Sequence, residues 1–422
     1  MAAGYAEILR ARHALRLLTG TLVGRLPNAT AAIAIVLFIR AEGGTYTLAG
    51  ALAAIYGVAN AVGQPVLGRL VDLRGQPVVQ LPAAVLSALA MTVFTFAGTG
   101  SPGWAYASVA AAGLCTPPLE GGLRALWPSV LPREEQVHTA YAMDAIAQEV
   151  MFTVGPLLVT VCVSLWSAQA ALIVLNVVGV LGALSVVLSR PSRQWRSAPR
   201  EAHWLGALRS PGLLVLLAAF LFVGCALGSI TVAGVSYGDE HGGGGGNAVY
   251  GWMMAALGLG ALVGGSVYGA RQWSGAPEGR LRRLVALLAL FYVPLVSMPG
   301  PVAMVALTAV AGVFLAPCIA CAFIVVDRHA PRGTVTEAFS WLVTTFTVGA
   351  SVGTAVAGPV VEWGGTRCGF AVPAAAGGLA LLVLLATGRV LTAPRTSGRG
   401  VAAWENDPNR AVEPRFSSGD RA

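Results

Sequence analysis

Lysine is absent from this chain, and every one of its 27 basic residues is arginine. A Walker loop ends in Lys-Ser/Thr, so an ATP-driven pump is unsupported. The glycine run in GDEHGGGGGNA, residues 238–248, reads for the same reason as a floppy connector and not as a phosphate cradle. Charge of either sign is scarce, at 11% of 422 residues, against 56% hydrophobic and a mean hydropathy of +0.71; that balance excludes a soluble globular domain. The six cysteines are scattered, mostly inside apolar runs, which excludes a disulfide framework. Cys318 and Cys321 form a CxxC with no second pair or nearby His, so they read as helix packing, and neither a metal nor a cofactor is expected.

What is present is a succession of long apolar runs. A membrane span needs about 20 such residues, and the pattern predicts twelve helices, near residues 14–39, 47–71, 78–98, 103–127, 138–163, 168–190, 211–236, 247–270, 282–298, 301–326, 334–360 and 364–390. The first run follows Arg10, Arg12 and Arg16, is too long for a secretory signal and contains Arg25, so it reads as a retained span. All the arginines except Arg25, Arg40 and Arg367 fall on one side of this topology. Positive loops stay inside, which predicts a bacterial plasma-membrane protein with both termini cytoplasmic. Its +8 formal charge is met by anionic lipid, and no nucleic-acid partner is needed.

The chain also repeats itself. Gly50, Gly57, Gly63 and Gly68 recur 201 residues later as Gly251, Gly258, Gly264 and Gly269, and Gly113, Pro118, Pro132 and Arg133 recur 199 later as Gly312, Pro317, Pro331 and Arg332. Small residues at such spacing let helices approach closely and slide. The repeat predicts an N-terminal six-helix half over 1–190, a cytoplasmic linker over 191–210 with a short interfacial helix near His203–Leu208, a C-terminal half over 211–390 and a disordered tail over 391–422.

Between the second and third runs lies GRLVDLRGQPVV, residues 68–79. Its Gly68, Leu70, Asp72 and Gly75 stand where the major facilitator superfamily, a large class of secondary transporters, carries G-x-L-a-D-R-x-G-R-K, and the sequence resembles that family here. Leu73 replaces the Arg after the Asp, with Arg74 one place later, and Gln76 and Pro77 replace the basic pair. The resemblance implies an all-α integral membrane protein, with twelve helices in two pseudo-symmetric bundles that alternate access. It further implies a cytoplasmic latch formed by Gly68, Asp72, Arg74, Gly75 and Asp144, with Asp72 facing helix eleven and an arginine near helix four. Helix eleven itself begins GTVTEAFSW, where Thr334 and Glu337 form a Thr-x-x-Glu capping box.

Ionisable residues within hydrocarbon cost roughly 2.5 to 3.5 kcal/mol on insertion scales and are functional candidates by default. Arg25, with Asn28 in the same VGRLPNAT stretch, lies midway along the first span, and Glu149 lies midway along the fifth. Their similar depth lets them pair, either as structural glue or as a working site. Glu149 is then the expected proton carrier, and Arg25, which does not deprotonate, holds an anion or fixes Glu149. Glu120 and Arg124 are four apart on one face of the fourth span. They form either an intrahelical pair or a second acidic site facing the cavity below a bend at Pro117 and Pro118. The second half has no charge at mid-depth, leaving Ser229, Thr231, Tyr250, Trp252, Trp341, Thr344 and Phe346 as candidate cavity lining. That asymmetry suits proton handling in the first half and a permissive wall for a hydrophobic or amphipathic molecule in the second.

Gly155 and Pro156, with Gly349, Gly353, Gly358 and Pro359, partly match the glycine-rich helix-five motif that exporters of the family carry. Proton-coupled efflux of a small organic molecule by a monomer is the favoured expectation, with uptake of a metabolite as the alternative. GASVG, residues 349–353, also fits G-x-S-x-G, but it lies in a helix, and none of the five histidines is well inside a span to act as base. A serine hydrolase or a non-transporting receptor therefore ranks behind transport.

Overall fold

The computed structural model describes residues 2–199, 204–241 and 246–392, and no strand occurs among them. A short α1 (Ala2–Arg10) precedes α2 (Ala14–Ala41), α3 (Tyr46–Arg74), α4 (Gln76–Ala97), α5 (Pro102–Leu114), α6 (Leu119–Val130), α7 (Glu134–Leu165) and α8 (Ala168–Val187). After α9 (Arg190–Gln194) come α10 (Pro211–His241), α11 (Gly246–Gly269), α12 (Pro277–Tyr292), α13 (Pro301–Gly312), α14 (Leu315–His329), α15 (Val335–Ala386) and α16 (Gly388–Thr392). Eight described stretches are long and apolar enough to cross a membrane. The other four expected spans differ for identifiable reasons. α15 is two helices joined at Gly365, whose φ of +74° suits glycine. α5 and α6 are one span broken between Leu114 and Leu119, α12 has only 16 residues, and α7 runs to 32 residues, longer than a span needs, with two glutamates in its first turn.

The break in the fourth span is where Pro117 and Pro118 interrupt the helix, and backbone groups freed inside a membrane must find partners. Gln64 donates to the Thr116 carbonyl in the break (3.1 Å), and Gln80 and Gln76 pin the start of α6 through the Pro118 (3.4 Å) and Gly122 (2.9 Å) carbonyls. The glycine repeat has a packing counterpart. A Cβ on Gly63 would fall 2.3 Å from the Leu114 carbonyl oxygen, and one on Gly264 would fall 1.8 Å from that of Val313. Gly113 and Gly312 meet the Tyr56 and Leu257 carbonyls in the same way, at 2.5 and 2.2 Å. The contacted residues are themselves related by the two repeat offsets. Gly50, Gly57 and Gly251, by contrast, face open space, so the repetition at those points does not mark helix contact.

One face of the molecule gathers the helix ends next to the linker. Arg69 donates to the Trp204 carbonyl (2.7 Å), Ser192 to Gln76 (2.9 Å), and the Glu337 carboxylate accepts from the Ala207 N–H (3.2 Å). Where a short interfacial helix is expected, the described linker has an exposed Trp204 followed by a 3₁₀ helix over Gly206–Arg209. His203, the connector residues 242–245 and the tail from 393 lie outside the described residues. Contacts between the first and second halves run along two seams that meet this face: α3 against α15, and α7 against α11 and α14.

Candidate functional site

Two arginines and two carboxylates form a closed ring inside the first half. Arg25 on α2 pairs with Glu120 on α6 (2.7 Å) and with Asp144 on α7 (3.1 Å). Arg124, one turn beyond Glu120, pairs with the same two acids at 3.5 and 2.6 Å. The ring alternates in sign and is neutral as a whole, the arrangement in which buried ions recover most of their desolvation cost. Asp144 and Arg124 are fully buried, Arg25 is nearly so, and the Glu120 side chain is 16% exposed. On its far side Arg124 lies over the Phe323 ring of α14, 3.7 Å from the centroid, so a first-half cation is braced by a second-half aromatic.

Glu120 and Arg25 also line a narrow cavity between α2, α3, α4, α6 and α8. Its wall carries an amide and hydroxyl network. The Asn28 side-chain oxygen accepts from Asn60 (3.1 Å) and from the Tyr56 hydroxyl (3.4 Å); Gln64 donates to Asn60 (3.3 Å), and Tyr56 bonds to Thr116 (3.1 Å). Asn176 and Ser87 add polar groups, Val180 adds an apolar one, and Val343 on α15 is the contribution of the second half. The lining thus joins polar and apolar walls, with the Glu120 carboxylate at its edge.

The expected partners need correcting in two places. Arg25 is held by Glu120 and Asp144, not by Glu149. Residues five apart on a helix point about 140° apart, so the face of α7 that carries Asp144 to Arg25 turns Glu149 elsewhere. Glu149 is half-buried and does not line the cavity. Asp144, expected in the latch, is a ring member, because α7 begins at Glu134 and places it about 15 Å inside the helix. The intrahelical Glu120–Arg124 pair and the cavity-facing Glu120 both hold, and Asn28 lines the same cavity.

Asp72, expected in the latch, bonds across the two halves. Its carboxylate accepts from the backbone N–H groups of Thr336 (3.1 Å) and Glu337 (2.9 Å), capping the positive end of α15 from the other half of the chain. Among the described residues Asp72 makes no ion pair with an arginine, and the helix N-terminus is its partner. This cap also displaces the capping box read from Thr334 and Glu337: Thr334 makes no side-chain cap, and Glu337 turns to the linker instead. A Cβ on Gly68 would lie 2.6 Å from the Ser340 hydroxyl, so glycine lets α3 close against α15. Gly75 is the sole residue between α3 and α4, with a φ of +91°. Arg74 is exposed, with no carboxylate within 4 Å among the described residues.

Sequence reasoning passed over Tyr56, Asn60, Gln64, Thr116 and Asn176. Three of them stand at i, i+4 and i+8 of one span, a polar stripe on one helix face that spacing alone reveals. None of the seven second-half candidates lines this cavity: Ser229 is buried and bonded to Ala226, Trp252 is exposed, and Thr344 bonds across the seam to Ala61. Ser351 of the G-x-S-x-G match donates to Thr347 one turn back within its helix, as a helical serine does.

The family model described as Major Facilitator Superfamily matches residues 17–303. The fold is similar to a crystal structure of a bacterial homologue of the iron transporter ferroportin in an outward-facing state (TM-score 0.71, 15% identity, covering 89% of this chain and 98% of that one). It is also similar to the E. coli fucose:proton symporter FucP (0.63, 15%, 88% and 97%) and to the human organic anion transporter MFSD10 (0.61, 18%, 87% and 99%). No curated protein matches by sequence.

Proposed function

The chain belongs to the Major Facilitator Superfamily, and from that premise we propose that it exports a small amphipathic organic molecule across the bacterial plasma membrane in exchange for protons. The observation that carries this reading is the buried ion ring, of which Glu120 is the most exposed member and also lines the cavity. While ionised, Glu120 can accept a hydrogen bond from a donor group of the substrate; protonating it removes that acceptor and unbalances a neutral ring by one positive charge. Substrate and proton therefore compete for one carboxylate, and loss of the proton on the other side readies the site again. Arg25, which keeps its own charge throughout, holds the ionised form between turnovers. The apolar part of the substrate rests on Val180 and Val343.

The linker face, rich in arginine, is proposed to be cytoplasmic, with both termini on that side. The seams closed along it support an outward-facing conformation, with the Asp72 cap as the latch. The glycines read as an export signal have a packing role that supports neither direction: Gly349 and Gly353 sit against the Leu221 and Cys225 carbonyls of α10. Uptake of a metabolite is therefore the reading to test against export.

The test is accumulation of a panel of amphipathic dyes in an efflux-deficient host carrying wild type, Glu120→Gln or Glu149→Gln, with and without protonophore. Lower accumulation with wild type, abolished by protonophore and by Glu120→Gln but kept by Glu149→Gln, is the expected result. If Glu149→Gln abolishes it and Glu120→Gln does not, the coupling site is misplaced. If wild type raises accumulation, the direction is uptake.

A further inference from the structure

A second concavity, about 1890 Å³ of largely open space, lies on the linker face where the two halves meet. The charged groups around it are unequally matched. Arg133 is paired with Glu7 of α1, and Gln136 also donates to that carboxylate. Arg328 is paired with Glu278 (3.5 Å), Gln272 donates to Glu135 (2.5 Å), and Glu134 lies 3.8 Å from His138. Arg271 and Arg280 have no carboxylate within 4 Å among the described residues.

Arg280 is only 4% exposed, and its Nε and Nη1 make no hydrogen bond. The hydroxyl of Tyr268, whose ring centroid is 5.6 Å from the same guanidinium, is buried without a partner too. Three orphaned donor atoms thus lie just beneath the groove floor, while Arg271 sits exposed at the rim over the Trp273 ring (5.2 Å). A guanidinium cannot shed its charge, and an uncompensated buried charge is costly, so the site as built calls for an anion. A tetrahedral oxyanion spreads its acceptor oxygens in three dimensions, so two arginines and a phenol approaching from the floor and the rim can share it.

We infer that this groove binds a phosphate group, held by Arg280 and Tyr268 in its floor and Arg271 at its rim. The inference is independent of the transport reading, since the ion ring and its cavity share no residue with the groove. The phosphate can be a free ion or the headgroup of an anionic lipid. The other wall of the groove is first-half chain, Ile8, Arg133 and Thr139, so an occupant lies between the halves.

The experiment uses the full chain purified in detergent and stripped of lipid, with chloride exchanged for inorganic phosphate at constant ionic strength while thermal unfolding is followed. Native mass spectrometry then scores retention of phosphatidylglycerol against phosphatidylcholine. A saturable rise in Tm with phosphate is expected for wild type. Arg271→Gln should weaken it roughly tenfold, the loss of one charge-assisted hydrogen bond, and Arg280→Gln should remove it. Arg271 is exposed, so its variant folds and keeps the test decisive. Retention of phosphatidylglycerol over phosphatidylcholine, lost in Arg271→Gln, with no effect of inorganic phosphate, identifies a lipid headgroup as the source. If neither probe acts on wild type, or if both act equally on Arg271→Gln, the inference is overturned.

Discussion

Arg124 holds two unlike partners at once, carboxylates on one side and the Phe323 ring on the other. Removing it leaves Asp144, which has no exposed surface, with Arg25 alone. Arg124→Met is therefore expected to cost about 3 to 5 kcal/mol, the usual penalty for breaking a buried ion pair from one side. Adding Asp144→Asn should return part of that loss, because it removes the stranded charge. Thermal unfolding of both variants in detergent checks this, and a double variant no more stable than Arg124→Met would show that the ring is not a unit. Each ring member is legible in the sequence as a charge inside or beside an apolar run. Their pairing is not, because it depends on rotation about α7, which decides between Asp144 and Glu149. The stripe of Tyr56, Asn60 and Gln64 was equally legible, but the glycines of the same span carried the more obvious pattern.

Helices here meet through glycines that are not interchangeable. Gly63 and Gly264 press on backbone carbonyls, which cannot move aside as a side chain can, whereas Gly57 and Gly251 face open space. Gly63→Ala and Gly264→Ala are accordingly expected to destabilise, by about 1 to 3 kcal/mol, as overpacked sites do. Gly57→Ala and Gly251→Ala should stabilise by about 0.4 to 1 kcal/mol through the conformational entropy that alanine removes from the unfolded chain. Opposite shifts of Tm in the two pairs test the assignment. The repeat itself was readable from spacing, but which of its glycines touch another helix was not, since contact depends on the face each one presents. The capping box at Thr334 was misread for a similar reason. Local spacing offered Glu337 as the cap, and a carboxylate from 265 residues away, Asp72, took the place.

At the scale of the whole molecule, twelve spans, the linker and the internal repeat followed from composition and periodicity, because a membrane leaves the backbone few alternatives to helix. The seams were beyond such reading, apart from the one motif that names Asp72. If the α3–α15 seam must part for transport, joining it should stop the cycle. With the native cysteines replaced, Gly68→Cys and Ser340→Cys place their Cβ atoms about 3.1 Å apart, slightly tight for a disulfide but close to its usual span. Oxidation is expected to block substrate flux and reductant to restore it; unimpeded flux in the cross-linked protein would show that this seam stays closed throughout. The two seams are unlike in construction. One rests on a buried charge at a helix end, the other on the half-buried Thr139–Gly269 and the exposed Glu135–Gln272 bonds. The first of these is tied to its own half by the one-residue joint at Gly75. Asp72 grips the opposite half three residues before that joint, and Gln76, directly after it, grips Gly122 and Ser192 of its own. There is no slack between these two anchors. If α3 tilts at the seam during transport, the tilt is expected to pass straight into α4 and from there to the broken span that bears Glu120, which would make Asp72 and that carboxylate opposite ends of one stiff lever.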